Sequence, residues 1–279
     1  MEITFSSHEI LPGIIHILMP GKTPGPGRVH TTLILGEEQA LLLDTGYGIG
    51  DLRSYVETLT SLPVTVANTH GHIDHCGGNS QWDAVWLNPA DYALADWSCT
   101  REAREASADL ADYLEVLNYG DYEKKPLTEG VSFDLGGRIV TAYACPGHTL
   151  GSMAFLDDKT KTLFTGDNIT RRVLLITSKE ATLANYLKML NRIGELDFAQ
   201  IVAAHVPYVM PRSWLDKVKS VVLSFDAAKG KPPICFSIKM TGMEPLEFTV
   251  GRDFDDPEYC GFVFDNLHLD KFLEGWPVQ

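Results

Sequence analysis

The 279-residue chain is long enough for one large domain or two modest ones of about 150 residues, and either buries a substantial core. Hydrophobic residues are 44% and charged residues 22%, with 24 Gly and 15 Pro, which excludes disordered, collagen-like and low-complexity classes. Its 37 Asp+Glu against 23 Lys+Arg leave a net charge of −14, a field that repels phosphate backbones and anionic lipid, so neither nucleic acid nor a membrane is an expected partner. The first residues carry no basic n-region, His16 interrupts the apolar run Ile14 to Met19, and no later stretch approaches about 18 uninterrupted apolar residues. The chain reads as cytoplasmic. Its five cysteines (Cys76, Cys99, Cys145, Cys235 and Cys260) are odd in number and widely spaced, which argues for reduced thiols rather than a disulfide framework or thiolate zinc site.

In chain order, Ile14 to Met19, Thr31 to Leu35 and Ala40 to Leu43 read as a β-meander. Asp51 is a plausible N-cap for a helix with Leu52, Tyr55, Val56 and Leu59 on one face, ending before Pro63. Val64 to Ala67 is a short strand that runs straight into Asn68-Thr69-His70-Gly71-His72-Ile73-Asp74-His75. Pro89 to Lys125 reads as two or three helices without an intervening strand, an insertion or cap. Val131 to Leu135 with Arg138 to Ala144, and Met153 to Leu156 with Lys161 to Phe164, read as hairpins. An amphipathic helix over Leu183 to Ile193, a strand over Gln200 to Ala204, and a helix from Trp214 to Phe225 follow, the last with Ser213 and Asp216 as a capping signature. Ile234 to Ile238, Leu246 to Val250 and Gly261 to Phe264 read as strands. The expected organisation is therefore one α/β domain over residues 1–230, with a helical insertion at about 89–125, and a C-terminal β extension over 231–279 packed on the same domain.

The chemistry concentrates in the histidines. Five of the nine sit in three polar clusters after expected strands: His70, His72 and His75, then His148, then His205. With Asp74 and Asp167 they supply seven nitrogen or oxygen donors and no thiolate, a set that suits zinc, iron or manganese. Seven donors exceed the need of one tetrahedral ion, whereas two ions sharing a carboxylate use them all. Alternate residues of an extended segment point the same way, so His70 and His72 can face one ion together. Gly77-Gly78 then allows a turn and close packing.

Thr69-His70-Gly71-His72-Ile73-Asp74-His75-Cys76-Gly77-Gly78, Pro146-Gly147-His148-Thr149-Leu150-Gly151-Ser152, Phe164-Thr165-Gly166-Asp167 and Ala203-Ala204-His205 resemble the metallo-β-lactamase superfamily, specifically its glyoxalase II-like hydrolase branch. The resemblance spans roughly residues 10–228. It implies a four-layer αββα sandwich with metals in a cleft at one edge of the sheets. It also implies His70, His72 and His148 on a first metal, Asp74, His75 and His205 on a second, Asp167 bridging both, and Asp44 orienting the ligand loop.

The function implied is a dinuclear zinc hydrolase, with iron or manganese as alternative metals, that uses a metal-bridging hydroxide to cleave a small thioester, ester or lactone. Asp74 doubles as ligand and catalytic proton shuttle. Asp167 separates the chain from true β-lactamases, many of which carry Cys or Ser there. Strand-like residues 230–279 depart from the helical glutathione-binding domain of glyoxalase II, and Thr170 stands where acyl-homoserine lactonases have tyrosine. Two alternatives remain: a mononuclear iron oxygenase similar to persulfide dioxygenases, and a non-catalytic metal-binding protein. Residues 89–125 are a candidate substrate lid, rich in aromatics such as Tyr92, Trp97, Tyr113 and Tyr119. Tyr47 and Tyr208 are candidate oxyanion donors, and Arg171 and Arg172 candidate partners of a substrate carboxylate. Ser152 reads as structural, and Cys76 as a small buried residue or a redox handle. No pattern in the chain sets an oligomeric state.

Overall fold

The central strands are buried along almost their whole length, and because successive side chains point to opposite faces, each sheet is covered on both sides by apolar packing. The computed structural model describes residues 3–20, 28–107, 110–176, 181–233 and 242–276. Strands β1 (Ser6–Leu11), β2 (Ile14–Leu18), β3 (His30–Leu35), β4 (Ala40–Leu43), β5 (Val64–Ala67), β6 (Ala84–Leu87) and β7 (Glu123–Pro126) form one sheet in sequence order. Pairing is antiparallel from β1 to β4 and parallel from β4 to β7. The second sheet contains β8 (Ser132–Asp134), β9 (Ile139–Ala144), β10 (Met153–Asp157), β11 (Thr162–Phe164), β13 (Gln200–Val202) and β14 (Met210–Pro211), in the order β14-β13-β11-β10-β9-β8. A third, small sheet pairs β12 (Arg172–Leu174) with β16 (Cys260–Asp265) and β15 (Pro245–Val250).

The layers follow from which alternate residues face where. Ile34, Leu41, Leu43 and Ala67 of the first sheet meet Val140, Ala142, Phe155, Phe164 and Val202 of the second in the inner core. Their neighbours Leu33, Leu42 and Val66 face outward and bury Leu52 and Val56 of α1 (Leu52–Leu59). On the far side, Leu163 and Ile201 pack against α5 (Leu183–Ile193) and α6 (Ser213–Leu223). This is a four-layer αββα sandwich. The β15–β16 hairpin joins the outer layer through Phe248, Phe262 and Phe264. Among the described residues, no helix is long and apolar enough to cross a membrane.

Several local expectations hold for their stated reason. Asp51 caps α1 by accepting from the Ser54 amide at 2.9 Å, and Gly136-Gly137 turns the β8–β9 hairpin with both residues at positive φ. Others differ. The segment after β6 does fold as α3 (Tyr92–Ser98) and α4 (Arg101–Ala106), but its end is strand β7, whose lysines pair in parallel with Val85 and Trp86 at a sheet edge, where charge is tolerated. Ser213 does not cap α6 but is its first residue: the N-cap position falls to Arg212, whose guanidinium has no acceptor to offer the helix amides and instead donates to the Leu196, Phe198 and Gly194 carbonyls. The expected strand at Ile234 to Ile238 lies outside the described residues.

His16 on β2 points into the inter-sheet layer and is fully buried, stacked on His30 at 5.1 Å. Neither of its ring nitrogens has a partner among the described residues. Burial, with His30 and His8 adding to it, pushes its pKa from 6.5 down to about 3. A depressed histidine is neutral in the fold but takes a proton on unfolding, so stability is lost as pH falls from about 6.5 towards 3. In urea titrations across that window, His16→Leu is expected to gain on the wild type steadily as pH drops, with a constant difference above pH 7. Parallel curves throughout would contradict this.

Candidate metal centre

Antiparallel pairing of β9 with β10 and of β10 with β11, and parallel pairing of β11 with β13, make β9, β11 and β13 run the same way. Their carboxyl ends lie on one edge of the second sheet, where His148, Asp167 and His205 follow in turn. From the facing sheet, the loop after β5 brings His70 and His72, and the single turn α2 (Ile73–Cys76) brings Asp74 and His75. The Met153 amide donates to the Thr69 carbonyl at 2.8 Å, joining the two sheets beside the cluster.

All seven residues singled out in the sequence come together. His72 Nδ1 lies 2.9 Å from His148 Nε2, and the His70 ring stands edge-on to both at 4.8 Å. Asp74 Oδ2 is 3.5 Å from His75 Nε2 and 3.4 Å from His205 Nε2. Asp167 is central: it approaches His75 Nε2 at 3.5 Å, His205 Nε2 at 3.2 Å and His148 Nε2 at 3.7 Å. Three triads have donor atoms within 4.8 Å of one another: His70, His72 and His148; His70, His75 and Asp167; Asp74, His75 and His205. Two donors each about 2.0–2.1 Å from one tetrahedral ion stand roughly 3.3 Å apart, which is the spacing found here. Buried His70 Nε2, His75 Nε2 and Asp167 Oδ1 have no hydrogen-bond partner among the described residues, a costly arrangement unless a further group binds them.

Electrostatics divides the cluster in two. Burial holds His70 well below the ordinary histidine range and His72 at about 3, with neighbouring imidazoles adding to the effect, and burial also lowers His148. Burial opposes charge on His75 and His205 as well, but the carboxylates outweigh it: Asp74, Asp167 and Asp44 raise His75 well above its usual range, and Asp167 with Asp74 raises His205 to about 10. Burial alone would raise Asp74 and Asp167, yet His75 and His205 hold both well below the carboxylate range. One half is therefore a neutral three-nitrogen set. In the other, the carboxylates favour positive charge on His75 and His205, a demand that a divalent ion would answer as well.

Supporting contacts fix these side chains. Asp44 ends β4 with φ 67°, a left-handed backbone that turns its buried carboxylate towards the ligand loop. It accepts from the Thr69 amide at 2.7 Å, from Thr69 Oγ1 at 2.8 Å and from His75 Nδ1 at 2.8 Å, which orients His75 so that Nε2 faces Asp74 and Asp167. Gly77 follows α2, and a Cβ there would come within 2.4 Å of the Tyr47 carbonyl carbon, so only glycine permits this packing.

Sequence reasoning missed Asp91. Its buried carboxylate accepts from the Gly71 amide at 2.9 Å, Thr149 Oγ1 at 2.7 Å and the Gly151 amide at 2.8 Å, binding the His70–His75 loop to the His148 turn. An acid in a Pro-Ala-Asp turn carries no local signal of that role. Asn168, also missed, accepts from the His148 amide at 2.6 Å and donates to the Cys145 carbonyl; its place beside Asp167 was the available clue.

The weaker candidates lie elsewhere or do other work. Arg171 donates to the Phe254 and Asp256 carbonyls, and Arg172 stacks over Phe254 at 4.6 Å, so both face the C-terminal hairpin region. Ser152 bonds within its own turn, to Thr149. Tyr113 packs with Ile49, Leu110 and Leu117 in a cluster that also holds Tyr47 and Ile73, and Arg104 lies over Tyr119 at 4.6 Å. Trp97 and Tyr208 are exposed.

Comparison with known proteins places this geometry. The chain is 26% identical over 200 residues to an acyl-coenzyme A thioesterase of Homo sapiens, a match covering 61% of this chain and 68% of that protein. It is 30% identical over 168 residues to an atrochrysone carboxyl ACP thioesterase of Aspergillus novofumigatus, covering 58% of this chain and 45% of the relative. A metallo-beta-lactamase from Pontibacter korlensis superposes with a TM-score of 0.61 at 20% identity, over 80% of this chain and all of that one. Residues 24–205, most of the sandwich and every candidate ligand, match the family model of the metallo-beta-lactamase superfamily, and the chain belongs to that superfamily.

Proposed function

We propose that the chain is a dinuclear metal-dependent hydrolase of acyl thioesters, with two zinc ions as its resident pair. The observation that carries this reading is the set of donor separations between 2.9 and 3.7 Å, together with the buried His70 Nε2, His75 Nε2 and Asp167 Oδ1, which have no hydrogen-bond partner among the described residues. His70, His72 and His148 would hold one ion, Asp74, His75 and His205 the other, and Asp167 would lie between them. The all-nitrogen-and-oxygen set suits zinc and also admits iron or manganese. The thioester bond is the chemistry shared by the names of the human and fungal relatives, whose carriers differ.

Bound divalent ions would supply an activated water and an electrophilic contact for the acyl oxygen. The chain's own groups do the rest. Asp74 keeps 19% of its side chain exposed, so it is a buried-site carboxylate that reactants can reach. It can accept the proton of the attacking water and release it to the departing sulfur. Asp167, 14% exposed, balances positive charge between the two halves. The turns carrying His148 and His205 also present Leu150 and Tyr208 to solvent, apolar surface for the acyl part of a substrate.

Protein purified anaerobically without added metal is expected to hold close to two divalent ions per chain and to release free thiol from acyl-coenzyme A. Chelation should abolish the release and added zinc restore it. One iron per chain with oxygen consumption on a persulfide would overturn the hydrolase; cleavage of esters but not thioesters would overturn the substrate class. Asp44→Ala is expected to weaken metal retention by about 10- to 100-fold, because His75 loses the acceptor that orients it. A chelator competition reads this directly, and an unchanged half-point would refute the role of Asp44.

A further inference from the structure

α2 ends on Cys76, directly after His75, and α3 is followed by Cys99. Their sulfurs lie 3.8 Å apart, in van der Waals contact. Cys76 is buried, its thiol directed to the Gly71 carbonyl at 3.3 Å, while Cys99 is only partly buried. Arg104, itself buried, donates to the Gly77 carbonyl at 2.8 Å. The Cys76 hydrogen bond and the Arg104 charge bring the Cys99 thiol down to about 7 against the opposing effect of burial. Cys145 and Cys260 contrast with this: both are buried, and burial pushes each up to about 12. A paired, partly accessible thiol beside a guanidinium is the microenvironment of a reactive cysteine, and the apolar sites are those of inert ones.

We propose that Cys76 and Cys99 form a reversible disulfide that couples the ligand-bearing turn to thiol redox state. The oxidant is a small-molecule disulfide of the glutathione class. Cys99 thiolate attacks one of its sulfurs, forming a mixed disulfide and expelling one thiolate. Cys76 then attacks Cys99 Sγ, giving up its proton to the second departing thiolate. The protein pair loses two electrons and the small disulfide gains them, yielding two free small thiols. Bond formation draws the sulfurs to about 2.05 Å, so Cys76 leaves the Gly71 carbonyl and pulls on the turn that bears Asp74 and His75. The disulfide stands on the thiol geometry alone; its effect on the centre rests on the metal reading above.

Cleavage after Arg53 and Arg101 gives tryptic fragment 54–101, which holds Cys76 and Cys99 and no other cysteine. After the metal-loaded protein is treated with oxidised glutathione and alkylated, this fragment is expected to appear about 2 Da lighter and unlabelled. Dithiothreitol should restore two labels. Cys76→Ser should arrest as a glutathione adduct on Cys99, whereas Cys99→Ser should keep basal activity and lose sensitivity to the oxidant. In the wild type, oxidation should shift the chelator half-point by about tenfold or more towards metal loss. A wild-type fragment still labelled at both cysteines, or a stable adduct on Cys99, would overturn the disulfide. An oxidised protein with unchanged metal retention would overturn the coupling, and neither measurement depends on finding a thioester substrate.

Discussion

Everything near the sheet edge answers to one constraint: three carboxylates, Asp44, Asp74 and Asp167, are gathered with five imidazoles where water is largely excluded. Two of those carboxylates stay ionised only because His75 and His205 stand beside them. Unpaired charge is expensive in such surroundings, so the cluster is stable only with compensating positive charge at its centre. Protons on His75 and His205 can meet that demand, and divalent cations could meet it through the same donor atoms. Concentrating this much negative charge within a chain of net −14 makes that part of the structure suited to holding a cation.

The sandwich makes such a cluster possible by dividing the donors between two rigid sheets. His70, His72, Asp74 and His75 belong to the first sheet and His148, Asp167 and His205 to the second, so the centre forms only if the two stay in register. Arg138 supports that register from the far end of the second sheet: its buried guanidinium pairs with Asp157 at 3.2 Å and donates to the Pro12, Gly13 and Leu35 carbonyls of the first sheet. Asp91 does the same at the site. The crossover from β6 to β7 thus serves the centre through one buried acid, whatever else its helices do. Because Cys76 and Cys99 join α2 to that same crossover, a change at the sulfurs would be felt at the ligands.

Much of this was legible beforehand. The β2–β3–β4 meander, α1 with its Asp51 cap, the β8–β9 and β10–β11 hairpins, and α5 each declare themselves through local periodicity and turn chemistry. The histidine motif was equally plain, because coordination needs particular atoms at short spacing along the chain. What escaped notice were elements whose reason lies far away in sequence. β12 is three residues long and exists as a strand because β16 pairs with it. β7 is rich in lysine and becomes a strand because it completes a sheet edge. Arg171 and Arg172 resembled substrate contacts until the C-terminal residues they hold were in view.

By itself, then, the sequence determined the donor types, their order and the segments that carry them, because these depend on side-chain chemistry and short-range geometry. Only the tertiary structure decided that the three groups of donors converge, that Asp167 stands between the two halves, and that Asp91 and Asn168 hold the ligand turns. Those facts depend on how two sheets pack across about 10 Å of apolar core, and on buried polar groups finding partners far along the chain. No local pattern encodes such a pairing, since a buried acid reads the same as an exposed one until its neighbours are known.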